Sequence, residues 1–182
     1  MKTFRRLVVL ASLSCFVATW FAVILSVYAA SQILPNATVE ADEQTVAEVI
    51  GTFDQAQEAI RARNLDGLMA LYAQGYQYYG LRKGDVRRLW ADLFAHYDHI
   101  ANMHVFSAVK LVGSGDEARV EITCTGALWA VAKDTKVRIP IDSWHGEVHH
   151  LVKEKGAWRI LGNAGGESPR PQQFGTAPHP LF

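Results

Sequence analysis

The residues best suited to chemistry lie in one run, I-P-I-D-S-W-H-G-E-V-H-H-L-V, residues 139–152. Glu147 and His149 stand two apart, so on a continuous strand they share a face with Ile139, Ile141, His145 and Leu151. Two such groups turned into an apolar interior could hydrogen-bond a guest or act as general acid and base, since burial and mutual charge move both toward neutrality. Asp142, beside Trp144, is a third catalytic candidate. The competing reading is a bulge at Pro140 or Gly146 that reverses the parity. Trp144, Val148 and Val152 would then face inward and the histidines would face water. His145, His149 and His150 do not make a metal site, because two strand steps separate His145 from His149 by about 13 Å. No metal and no cofactor are expected.

Aromatic residues supply the other candidates for lining a pocket. Tyr78 and Tyr79 fall in one short aromatic segment and either could donate its hydroxyl, while Trp90 and Trp144 serve equally well as core or rim. His104 enters a strand with Phe106 and Ala108 and reads as a hydrogen-bonded structural histidine. Cys124 has the strand parity of Val120, Ile122 and Leu128, which makes it a small buried hydrophobe rather than a reactive thiol.

Three helices and a set of strands must position these groups. Val46, Val49, Ile50, Phe53, Ala56 and Ile60 form a one-sided helical stripe, with Asp42 or Thr45 to cap it. Leu65 to Ala73 reads as a second, short helix, and Gln74 to Leu81 as the aromatic strand. Asp85 is placed to cap a third helix with Val86, Leu89, Trp90, Leu93, Phe94 and Tyr97 on one face. The period then changes to two. Val105 to Val112, Ala118 to Ala132, Val137 to Val152 and Ala157 to Asn163 are expected as antiparallel strands, the last two joined by a tight turn at Lys153-Glu154-Lys155-Gly156. The expected fold is α+β: a curved antiparallel sheet wrapped around about three N-terminal helices, a cone-shaped, cystatin-like roll whose open end would admit a ligand.

The 182 residues are 49% hydrophobic, enough for one domain with flanks. Residues 1–30 have the layout of an export signal, with Lys2, Arg5 and Arg6 before an apolar run from Leu7 to Val27, followed by small residues. That run is also long enough for an uncleaved anchor, and either version delivers the body to the periplasm or the extracellular side. Membrane contact is expected only through this segment, and only if it stays uncleaved. Without those three cations, 15 Lys and Arg face 18 Asp and Glu, a balance of minus three that argues against nucleic acid. Residues 31–41 read as a linker, 42–163 as the domain, and 164–182, which hold four of the six prolines, as an extended tail.

The segment A-I-R-A-R-N-L-D-G-L-M-A-L-Y-A, Ala59 to Ala73, the aromatic strand, the third helix and the closing G-A-W-R-I, Gly156 to Ile160, together resemble the nuclear transport factor 2-like superfamily. That superfamily includes ketosteroid isomerase, the polyketide cyclases and scytalone dehydratase. The resemblance implies the cone fold over about Val46 to Asn163 and dimerisation through the outer sheet face, with which Trp129, opposite in parity to Cys124, is compatible. It does not carry the isomerase's chemistry. The position resembling the general-base Asp is Gly80, that of the first-helix Tyr is Ala56, and where many relatives place a pocket His, Gly162 and Asn163 follow Leu161. The expectation is an exported, non-catalytic binder of a small apolar molecule. The alternatives are an enzyme of lyase, isomerase or hydrolase type using the His-carboxylate pair, and an anchored assembly domain.

Overall fold

A computed structural model describes residues 31–162, the Asp116 side chain excepted. Along the chain run β1 (Gln32–Glu40), α1 (Glu43–Arg61), α2 (Leu65–Met69), β2 (Tyr72–Tyr78), β3 (Leu81–Arg82), α3 (Lys83–His96), β4 (Tyr97–Val112), β5 (Arg119–Ala132), β6 (Arg138–Glu154) and β7 (Ala157–Gly162). A single 3-10 turn, Gly115–Glu117, separates β4 from β5. The seven strands form one sheet in the order β1-β4-β5-β6-β7-β2-β3.

The helices begin as their sequences dictate, with one adjustment. Asp42 caps α1: its carboxylate accepts the Thr45 amide at 2.9 Å and the Thr45 hydroxyl at 2.7 Å. Those two bonds, the hydroxyl first, hold its carboxyl below the usual value. Helix α1 ends at Arg61 with Ala62 as its C-cap, and Asn64 caps α2 by accepting the Gly67 amide. Asp85, expected at the cap of α3, sits instead in the first turn and accepts the Arg82 amide at 2.8 Å. The second helix is shorter than expected. The Ile160 amide takes the Leu71 carbonyl at 2.8 Å, and Tyr72 pairs with Ile160 as β2 joins the sheet parallel to β7.

Two parallel pairings correct the all-antiparallel expectation. One is β2 with β7; the other is β1 with β4, so the stretch read as a linker is an edge strand. Pro35 lies where the β1 register is irregular, between Ile33 and Thr38, which suits a residue without an amide hydrogen. The central meander β4-β5-β6-β7 is antiparallel as expected. Its last hairpin turns through Lys155 and Gly156, both with positive φ, 52° and 79°, the primed turn that a two-residue loop requires.

Helix α1 touches both β4 and β7, although β5 and β6 lie between them in the sheet. On a flat sheet those strands would stand about 14 Å apart, more than one helix spans. The sheet therefore curves around α1. Its concave face buries Phe106, Ile122, Leu128, Leu151 and Ile160 against Phe53, Ala56 and Ile60 of the helix.

Candidate functional site

The parity of β6 is decided by a bulge. Cys124 pairs with Glu147 and Gly126 with Trp144, so His145 and Gly146 together oppose the single residue Thr125. Gly146 takes φ 64°, and its amide donates to the Thr125 hydroxyl at 3.1 Å. The extra residue lets Trp144 and Glu147 share the concave face although they are three apart. Beyond it, His149 and Leu151 are fully buried while Val148 is 42% exposed. The face therefore mixes the two expected parities: Trp144 is inward as a bulge requires, and His149 is inward as on a continuous strand. His145 is exposed, and His150 faces Glu121 at 3.8 Å. Burial holds the His150 imidazole below its usual value despite that carboxylate.

The tyrosine segment meets β6 at this point. Tyr78, buried near the end of β2, donates its hydroxyl to Glu147 Oε2 at 2.9 Å. Burial, then the charge of Glu147 and its hydrogen bond, push the phenol well above its usual value, and Asp142 adds to the effect from farther along β6. Tyr78 is therefore a neutral donor at physiological pH. Glu147 and Asp142 are both half-buried. Tyr79 packs edge-on against Tyr78 at 4.6 Å and occupies the β2–β3 turn with Gly80, both at positive φ.

Deeper along the same face runs a row of buried polar groups. The Asn102 amide nitrogen lies 2.8 Å from His104 Nε2, and His104 Nδ1 lies 3.5 Å from Cys124 Sγ. Trp144 Nε1 donates to the same sulfur at 3.2 Å, and the thiol reaches the Thr125 carbonyl at 3.6 Å. With Asn102 assigned as donor to Nε2, the neutral imidazole carries its proton on Nδ1 and donates to sulfur. Burial pushes the Cys124 thiol up to about 11, partly offset by the Trp144 bond.

Gly126 makes this row geometrically feasible. It pairs with His104 on one side and Trp144 on the other, whose rings approach to 5.2 Å over it. A Cβ there would fall 2.2 Å from the Met103 carbonyl oxygen and 2.3 Å from the Trp144 ring. Asn102 and Gly126 were not among the candidates read from sequence. An isolated glycine within a strand pattern was the available signal for Gly126, whereas nothing in the sequence distinguishes Asn102 from a solvated strand residue.

The remaining candidates fall elsewhere. Trp90 is fully buried, donates to the Tyr72 hydroxyl at 3.0 Å, and belongs to the core behind α3. Asn163 lies outside the described residues, as do the leader and the tail. Gly80 is a turn residue and Ala56 is buried in α1, so neither position raised by the resemblance bears a titratable group. Among the described residues no group of three or more His, Cys, Asp or Glu could hold a metal ion, and no helix is long and apolar enough to cross a membrane.

No family model matches the sequence, and no curated protein is similar to it. Solved structures do share its fold. A conserved protein from Planctomyces limnophilus aligns at TM-score 0.56 and 10% identity, over 66% of this chain and 94% of that one. Aln2 from a Streptomyces species aligns at 0.51 and 12% identity, over 68% and 90%. A proposed aromatic ring hydroxylase from Novosphingobium aromaticivorans aligns at 0.51 and 12% identity, over 68% and 88%. At these identities the likeness concerns the fold alone. It is the cone-shaped α+β architecture expected from the order of helices and strands.

Proposed function

We propose that this protein binds a small, largely apolar molecule on the concave face of its sheet, without converting it, and that it does so outside the cytoplasm after export by residues 1–30. The observation that carries the reading is the Tyr78–Glu147 hydrogen bond. It places a half-buried acceptor among aromatic rings on a face that combines many apolar side chains with a few buried polar ones. A few fixed polar groups in an apolar concavity orient a guest without requiring proton transfer. The deeper row is consistent with this, because the Cys124 thiol is held protonated and the Trp144 and His104 donors are engaged with it.

Titration with 2-naphthylmethanol, followed by tryptophan fluorescence and by thermal unfolding, tests the reading. Saturable quenching is expected, with stabilisation approaching about 2.7 kcal/mol at a hundredfold excess over Kd. Absence of saturation with this probe and with other neutral bicyclic compounds would contradict it.

A second reading, proton-transfer catalysis, is favoured by one observation, the full burial of His149 on the face that carries Glu147. Mass spectrometry of the recovered probe separates the two. The binder returns it unchanged, whereas a product that disappears in His149→Gln would establish catalysis.

A further inference from the structure

We propose that the bound molecule carries a protonated amine on its apolar body and that Glu147 is its counter-ion; this rests on the reading that the concave face takes an apolar guest. Three donors on this face are engaged within the protein. Tyr78 donates to Glu147 Oε2, Trp144 donates to Cys124, and the Asn102 amide nitrogen is directed at His104. Around Glu147 and at the Asn102 carbonyl, acceptor capacity remains. Glu147 keeps a second carboxylate oxygen, and Asn102 Oδ1, fully buried, has no hydrogen-bond partner among the described residues. A guest that fits these positions must bring donors.

Charge narrows the class. The ion pairs among the described residues do not include Glu147. A half-buried carboxylate without a cation is poorly compensated, and an ammonium group supplies the missing partner. The two oxygens divide the work: Oε2 keeps Tyr78, and Oε1 is available for a charge-assisted bond. The surroundings favour the same sign of guest. Glu147 and Asp142 both act on Tyr78, and Glu147 also acts on Cys124, so the local field is anionic. Tyr78, Tyr79 and Trp144 add ring faces that attract a cation. A carboxylate or phosphate guest would meet repulsion from Glu147 and Asp142.

The test compares three probes of matched shape against the full-length protein: 2-naphthylmethylamine, 2-naphthylmethanol and 2-naphthoate. By calorimetry at neutral pH the amine is expected to bind at least about tenfold tighter than the alcohol, as one charge-assisted hydrogen bond supplies, with the acid weakest. In Glu147→Gln the amine-to-alcohol ratio should collapse toward one, with circular dichroism and thermal melting confirming that the variant is folded. Equal or tighter binding of the alcohol or the acid to the unaltered protein overturns the proposal while leaving the binder reading intact. An undiminished amine preference in folded Glu147→Gln also overturns it. Failure of all three probes, and of other neutral bicyclic compounds, to bind removes both.

Discussion

Cys124 shows how an interior position converts an ordinary side chain into a fixed one. Its thiol is raised from 9.0 to about 11, chiefly by burial, so the folded state holds the proton more tightly than the unfolded state. The stability this contributes is fully present below pH 9 and is lost as pH rises through about 11. Burial raises the phenols of Tyr72, Tyr76 and Tyr78 in the same direction from an ordinary value of 10.0. Urea denaturation between pH 8 and 11 should therefore show stability declining from about pH 9. In Cys124→Ala the onset should move to about pH 10, where the tyrosines take over. At pH 7 that variant should also lose about 1–3 kcal/mol, because the buried Trp144 N–H loses its acceptor. The small buried hydrophobe expected at Cys124 describes its packing; its role as acceptor for Trp144 and neighbour of His104 comes from flanking strands, which parity does not reveal.

Strand β5 is the element on which the site is assembled, and Gly126 is its most constrained position. Gly126→Ala should cost about 3 kcal/mol by overpacking. The Trp144 ring should be displaced from the sulfur, seen as a red shift of tryptophan emission in the folded state and a lowered urea midpoint. Retention of the original emission and midpoint would show that the neighbouring strand shifts instead. Much at this scale was legible in the sequence. The stripe of α1, the capping by Asp42 and the Lys155-Gly156 turn follow from periodicity and local chemistry. The first half of β4 did not, because Asn102 and His104 occupy inward positions, so polar residues stand where a strand's buried face should read apolar. The parity of β6 was open for a related reason. A bulge at Gly146 is local, but which residues it turns inward depends on Thr125 of the adjacent strand.

At the scale of the molecule, curvature joins distant segments into one concave face. Tyr78 of β2 and Glu147 of β6 are 69 residues apart in sequence and meet because the sheet curves around α1. The α+β class and the cone were readable from the order of helices and strands. The two parallel pairings were not, since β1 and β2 are placed by hydrogen bonds to β4 and β7 rather than by any pattern of their own. The candidate site followed the same division: residue types and the importance of β6 were visible, whereas the Tyr78–Glu147 pairing required the fold. The two faces of the sheet also provide an internal control for the central claim. Trp144 is buried on the concave face, while Trp129, half-buried under the Arg138 guanidinium at 4.9 Å, lies on the outer one. The most direct measurement is a 2-naphthylmethanol titration followed by NMR through the tryptophan indole N–H resonances, assigned by single Trp→Phe variants. A guest on the concave face should shift the Trp144 resonance in a saturable manner and leave Trp129 unmoved; a shift confined to Trp129, with Trp144 unchanged, would contradict the account.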